Sequence, residues 1–450
     1  MTNLVEKLGA WAEGYRTQAL EGDVLHHARR AVIDWYAALA PGAVQAPATL
    51  LERALAEELD HGAARLALGR KATVRAAALI NGSAAHTAEV DDIFRDGIYH
   101  PAAPTISAAH ALAQAHGVSG ERFLRAVIVG YEISTRIAAA MGRAHYKFWH
   151  NTGTIGCFGA AAAAAEILQL DRTRFAHALA TVTTFAAGLQ QSFRMDSMSK
   201  PLHAGRAAEA GVTAALAARE GVIGSLDVIE GEAGFGKAMG YADAATGPDW
   251  EKAFVTLGRE FNITRMTFKN HACCGHTFAA IDGAMALKKK MGAAANDIER
   301  VRVRTYRAGL EVAGIEEPKN AAEAHFSMKY VVATALTHGN VRLAAFEQDR
   351  IDNAQTRELM HRVEVALDPE LDATFPKQRA ARVAIQLRGG REEDFYQPTR
   401  IGDPDMPLTD AQLEEKYLEL VAPVLGATAA RKLLARLWRL EREAELDFAA

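Results

Sequence analysis

A chain of 450 residues exceeds the roughly 250–300 at which a single hydrophobic core stops growing, so two domains are expected. Its 51 basic and 55 acidic residues leave a net charge of −4 with no long block of one sign; that excludes the basic stripe a phosphate backbone demands, and with it a nucleic-acid partner. Only 7% of residues are aromatic and alanine runs such as Ala160 to Ala165 dominate, which points to small-residue helices packed closely together.

From residue 4 to about 245 the pattern is helix after helix. Val24, Ala28, Val32, Trp35, Tyr36 and Leu39 recur at helical spacing, and Pro41-Gly42 is expected to stop that helix. Val74 to Ala88, Ala103 to His116, Gly120 to Met141, Gly156 to Leu170 and Ala207 to Arg219 read the same way. The expectation is a compact all-α body. Near residue 260 the texture changes. Ile263 to Phe268, Val301 to Tyr306, Arg362 to Leu367 and Arg382 to Leu387 alternate apolar with polar residues, as strands do. Helical stretches at about 276–291 and 321–338 lie between them, a mixture that predicts a small α+β domain. From Asp410 the helical pattern returns, and this tail is expected to pack back on the first domain.

Met1 to Tyr15 carries Glu6, Lys7 and Glu13, unlike a signal peptide, and the uncharged stretches Pro101 to Gly120 and Phe175 to Phe193 are interrupted by histidine and glutamine. Three cysteines, Cys157, Cys273 and Cys274, are too few for a disulfide framework. A cytoplasmic protein with no membrane partner is the expectation.

Four polar clusters carry the residue types of acid–base chemistry. The first is His86-Thr-Ala-Glu89-Val-Asp91-Asp92, followed by His100-Pro101, where carboxylate and imidazole come together. The second, Phe148-Trp149-His150-Asn151-Thr152-Gly153-Thr154-Ile155-Gly156, opens an alanine-rich helix whose first amides suit a carboxylate. In the third, Asp196 to Arg206, Lys200 precedes Pro201, which predicts an extended helix entry. Arg194 just ahead of it is a further candidate carboxylate clamp. The fourth is Phe268-Lys269-Asn270-His271-Ala-Cys273-Cys274-Gly275-His276. Neither zinc-ligand nor iron–sulfur spacing is present, so no metal and no cofactor are expected.

In this order the clusters resemble the MmgE/PrpD family. Its members show a D-x-D-D-type segment leading to H-P, then F-H-x-T-G-T-x-G-x-F-G-A-A-A, K-x-L-H-x-G-R-A and a K-x-x-x-C-C turn. Here they stand as Glu89-Val90-Asp91-Asp92 with His100-Pro101, His150 to Ala162, Lys200 to Ala207 and Lys269 to Cys274. The Glu230 to Phe235 turn and Phe326-Ser-Met-Lys-Tyr330 also match.

The resemblance implies a mainly α fold: a large all-α helical domain built from both chain ends (residues 1–260 plus 408–450), a smaller α+β lid domain (261–407), and a homodimer. It further implies proton-transfer chemistry on a small polycarboxylate, as in 2-methylcitrate dehydratase, cis-aconitate decarboxylase or iminodisuccinate epimerase. By analogy with the decarboxylase, the pocket positions are Glu89 (commonly Asp), Ile93 (Thr there), His100, His150, Lys200, Lys269, Cys274 (His there) and Tyr330. The changes at Ile93 and Cys274 argue against cis-aconitate decarboxylation as such and favour a dehydratase, with an epimerase as the alternative. His100, His150, Lys200 and Tyr330 are the implied catalytic residues, one histidine acting as base. Glu89, Asp91, Asp92, Thr152, Gly153, Lys269 and Cys274 complete the implied substrate-binding set, with the Thr152–Gly156 amides and the two lysines on carboxylates.

Overall fold

In the computed structural model, residues 3–20, 22–193, 197–240 and 247–446 are described. The chain divides into two compact units: Met1–Thr267 together with Thr409–Ala450, and Phe268–Leu408.

The first unit is built on helices Gly22–Ala43, Val74–Thr87, Ala102–Ala115, Gly120–Met141, Gly156–Ile167 and Ser199–Arg219. Ser119 caps the fourth through the Arg122 amide, and Thr73 caps the second through Ala76. All six alanines from Ala160 to Ala165 are fully buried. Backbones therefore approach closely, and two glycines decide where. A Cβ on Gly82 would lie 2.9 Å from the Cα of Gly205, so helices Val74–Thr87 and Ser199–Arg219 cross backbone to backbone at this point. The crossing sets the C-terminal end of one helix, with His86, beside the N-terminal turn of the other, with Lys200 and His203.

The tail returns to this unit as helix Asp410–Leu425. Its buried Lys416 pairs with Asp34 and donates to the Val90 carbonyl at 2.7 Å, which ties down the loop between Glu89 and Asp91.

Three expectations need correcting here. The Gly22–Ala43 helix runs through Pro41 and Gly42, because Gly42 lies in the last turn against Ala84, where a Cβ would come within 1.9 Å of the Ala84 carbonyl oxygen. Ile263 to Phe268 is not a strand but a 3-10 turn, Asn262–Arg265, followed by a single bridge between Thr267 and Ile93. Tertiary bonds explain it: the Asn262 amide donates to the Glu132 carboxylate and its side chain to Thr135. The helical body also contains a two-stranded antiparallel piece, Leu59–Arg65 with Lys71–Ala72.

The second unit is α+β. Its sheet has the order Val363–Leu367, Ile298–Thr305, Ala381–Leu387, Glu392–Gln397, the first pair parallel and the others antiparallel. Val301 and Val303 are buried while Arg300 and Arg304 face out, the period-two pattern of a sheet covered on one side. Helices Phe278–Met291 and Met328–His338 pack on the sheet. Among the described residues no helix is long and apolar enough to cross a membrane.

Candidate active site

Four segments of the helical unit converge on one carboxylate. Helix Val74–Thr87 delivers His86 in its last turn. Glu89 then takes a positive φ of 57°, a left-handed turn that L-residues other than glycine and asparagine seldom adopt. The reversal returns Asp91 to His86, with Asp91 Oδ2 2.7 Å from His86 Nδ1. His100 Nδ1 lies 3.3 Å from the same oxygen. His150 stacks on His86 at a centroid separation of 5.4 Å, and its Nδ1 is 3.0 Å from His203 Nδ1. One turn before His203 on its helix, Lys200 pairs with Glu89 and lies 5.2 Å above the Phe193 ring. Phe193 in turn meets the His150 ring edge-on at 4.8 Å.

Burial alone would raise the pKa of Asp91, but His86 and His100 outweigh it and hold the carboxyl well below its usual range. An ionised Asp91 accepts Nδ1–H from a neutral imidazole, which leaves the opposite nitrogen, Nε2, with the lone pair: the arrangement of an oriented base. Burial, reinforced by His86, Lys200, His203 and His100, pushes the His150 pKa well below 6.5, so this imidazole is neutral near pH 7. Burial works against the Lys200 cation as well, yet the Glu89 carboxylate more than offsets it and the pKa rises. Lys200 is therefore a cation beside His150 and His203, both of whose pKa values burial lowers. His86 Nε2 and Asp91 Oδ1 are buried without a hydrogen-bond partner among the described residues.

Other expected residues have different duties. Asp92 is fully buried, accepts the Ala102 amide at 3.0 Å and the Tyr131 hydroxyl at 2.8 Å, and has its pKa raised well above 3.8 by burial and then by Asp34. It brackets the start of helix Ala102–Ala115 against Tyr131. Thr152 is buried, and its hydroxyl accepts the His100 amide at 3.3 Å. The amides of Gly153, Thr154 and Ile155 donate to the His150 and Asn151 carbonyls, so they are not the open carboxylate cradle expected of them. Gly153 is small for another reason: a Cβ there would meet the Ala187 carbonyl oxygen at 2.4 Å and His203 Cβ at 3.1 Å. Lys200 is not in an extended entry but in the first turn of helix Ser199–Arg219. Pro201 is tolerated because a first-turn amide has no helical acceptor to lose. Arg194 and Asp196 lie outside the described residues.

Lys269, Cys274 and Tyr330 belong to the second unit. Lys269 is buried. The Cys274 amide donates to the His325 carbonyl at 3.1 Å, and its own carbonyl accepts the Thr277 hydroxyl at 2.8 Å. Tyr330 was implied as a catalytic residue. It is instead a core residue of helix Met328–His338, fully buried, with its hydroxyl donating to the Ala345 carbonyl.

His86 and His203 were absent from the expected set, although both lie inside the quoted clusters. The signal for His203 was its place three residues after Lys200 on one helix face. That for His86 was its position at a helix end leading into three acids. The nitrogen and carboxylate atoms of His86, Asp91 and His100 all lie within 4.8 Å of one another, a donor set that suits a divalent ion in type. The 2.7 Å separation of His86 and Asp91 is that of a hydrogen bond, and His100 at 3.3 Å lies within ion-pair reach of the same oxygen.

The profile of the MmgE/PrpD N-terminal domain matches residues 6–246 and that of the C-terminal domain residues 271–441. The chain belongs to the MmgE/PrpD family. It is 26% identical over 472 residues to the cis-aconitate decarboxylase-like protein oryM of Aspergillus oryzae, covering 99% of this chain and 96% of that one. Human cis-aconitate decarboxylase is 27% identical over 81% of this chain and 76% of its own. The 2-methylcitrate dehydratase of Escherichia coli K12 is 26% identical over 46% of each chain. These relatives are lyases by name.

Proposed function

We propose that the helical unit carries the proton-transfer centre of a lyase acting on a small polycarboxylic acid. The observation that carries this is Asp91 Oδ2 set between two imidazole Nδ1 atoms, with a third imidazole stacked on the pair and a lysine cation close by. Asp91 orients His100 as the base that removes a proton next to a substrate carboxylate. Lys200 exchanges Glu89 for that carboxylate and spreads the charge that develops as the proton leaves, where fixed electrostatics help most. His150, neutral and buried, returns a proton to the departing hydroxyl.

The finer reading is dehydration of a 2-methylcitrate-like tricarboxylate. It rests on Ile93, whose side chain offers no hydrogen bond and whose backbone is committed to Thr267 on both sides, at 2.8 and 2.9 Å. A second reading, decarboxylation of cis-aconitate, draws support from relatives of that name spanning 81–99% of the chain. In it His150 protonates carbon after carbon dioxide leaves. In an epimerase it would return the proton to the opposite face. Incubation with 2-methylcitrate and with cis-aconitate in deuterated water, followed by NMR, separates the three: alkene formation, carbon dioxide loss with deuterium uptake, or exchange alone. His150→Ala and Lys200→Ala should each lose catalysis while the circular-dichroism melt survives; near-normal turnover in both sinks the assignment.

A further inference from the structure

His150 is poorly suited to hold a proton. It is 2% exposed, and its pKa is depressed by burial and then by the neighbouring His86, Lys200, His203 and His100. Donating from a neutral imidazole is no easier, because it would leave an imidazolate. Both costs vanish if a second proton moves on the other ring nitrogen in the same event. Such a partner is present. His203 Nδ1 faces His150 Nδ1 at 3.0 Å, with the ring centroids 5.2 Å apart. Two lone pairs cannot face one another at that distance, so exactly one proton bridges the pair when both rings are neutral.

The surroundings hold this contact in place. His203 sits in a slot formed by two glycines from other segments. A Cβ on Gly188, whose φ is +135°, would come 3.2 Å from His203 Nδ1, and one on Gly153 would come 3.1 Å from His203 Cβ. The Gly188 carbonyl also accepts the His150 amide at 2.9 Å, so the element that leaves room for one ring anchors the other. His203 is half-buried, whereas His150 is enclosed, so His203 is the member of the pair with access to water.

We propose that His203 is a positioning and relay residue that makes His150 a proton conduit rather than a proton store. In the donating tautomer His150 carries Nε2–H and His203 carries Nδ1–H. As the His150 Nε2–H bond breaks and its proton goes to the leaving hydroxyl or to carbon, the His203 Nδ1–H proton passes to His150 Nδ1. His203 Nε2 takes a proton from water, and the hydroxide left behind is neutralised by the proton that His100 later releases. Both rings end neutral, each in its other tautomer, and one proton has crossed from solvent to substrate. The pair resets with no net proton transfer: a water that enters the vacated site gives a proton to His150 Nε2 while His203 Nε2 releases one to solvent, and the hydroxide and proton recombine as water.

The kinetic half of this inference rests on His150 acting in the proposed lyase reaction; the bridging proton does not, and the two are tested separately. Histidine-selective nitrogen-15 labelling of the whole protein, without ligand, should show one proton correlated with the Nδ1 nitrogens of both His150 and His203, lost in His203→Asn. The absence of that bridging proton in the folded wild type would overturn the proposal, whatever the enzyme turns over. Asparagine places an amide near the former Nδ1 and can keep one hydrogen bond, but it cannot take up and release a proton. With 2-methylcitrate or cis-aconitate, whichever is consumed, His203→Asn should lower kcat about 100-fold, the lower range for a lost acid–base group, with KM changed less than threefold. Imidazole in the buffer should restore kcat of His203→Ala at least tenfold, which a purely structural role would not allow. A folded His203→Asn enzyme with kcat within threefold of wild type overturns the relay and leaves the lyase reading standing. If neither acid is consumed by wild type, the lyase reading fails and the nitrogen spectrum still decides the bridge.

Discussion

The loop after His86 and the turn after Phe268 are equally rich in reactive side chains, yet they use them differently. In the first, His86 and His100 both turn to Asp91 Oδ2, and the arrangement leaves His86 Nε2 and Asp91 Oδ1 unsatisfied in the interior. In the second, His271 pairs with Asp282 at 2.9 Å, Cys273 with the Thr277 hydroxyl at 3.2 Å, and Asp282 also accepts the Ile401 amide. These bonds tie the turn to its own unit. Reactive residue types thus mark both places, and each keeps a buried ring nitrogen without a hydrogen-bond partner among the described residues, His86 Nε2 in the first and His271 Nδ1 in the second; what sets the first apart is that imidazoles from separate segments converge on one carboxylate. Side chains bonded within one turn rigidify it, whereas side chains gathered from several segments around one charge build a site.

This contrast can be broken in several ways. First, His100→Ala should lower turnover of the consumed acid about 1,000-fold, the mid-range for a lost general base, whereas His271→Gln should leave kcat within threefold and lower the melting temperature instead. Second, Lys416→Met removes the cation facing buried Asp34 and the Val90 carbonyl. It should cost about 3–5 kcal/mol in urea unfolding, as breaking one side of a buried pair does. An unchanged midpoint would show that Lys416 does not hold the Glu89–Asp91 loop. Third, Tyr330→Phe should cost about 1–3 kcal/mol for the stranded Ala345 carbonyl while kcat stays within threefold; a large loss of kcat with stability intact would restore Tyr330 as a catalytic acid.

The smallest effect is one of pH. His110 is buried with its pKa pushed from 6.5 down to about 4 by burial, and His150 is lowered in the same direction. Below pH 6.5 the unfolded chain takes up protons that these folded sites refuse, so stability is full above that pH and declines as pH falls toward 4. Each group contributes up to about 1.4 kcal/mol per pH unit in that window. His110→Gln should flatten the slope of unfolding free energy between pH 6 and 4 by about that amount; an unchanged slope would contradict the neutral burial of His110.

Much of the helical unit was legible because local signals agreed with tertiary demands. Ser119 before Gly120 and Gly142 after Met141 bound one helix to the residue. The charged edge strand Glu392–Gln397 was missed because its exposed positions carry Glu392, Asp394 and Tyr396 rather than a clear alternation, and its pairing to Ala381–Leu387 supplies the order. At the site, His100, His150 and Lys200 were readable as residue types in ordered clusters. Their partners were not, because they depend on long-range geometry: the Gly82–Gly205 crossing brings His86 and His203 together, and the slot between Gly153 and Gly188 seats His203. The partners of Asp92, Tyr131 and the Ala102 amide, likewise come from later helices.

The most direct test of the central claim is turnover of Asp91→Asn on 2-methylcitrate and cis-aconitate beside wild type, with the fold checked by circular dichroism. Asparagine keeps the shape but presents one donor and one acceptor where a carboxylate held two imidazoles. The account predicts a folded protein whose kcat falls about 10,000-fold, the scale seen when an orienting aspartate is neutralised. A folded Asp91→Asn enzyme with turnover within tenfold of wild type would contradict it.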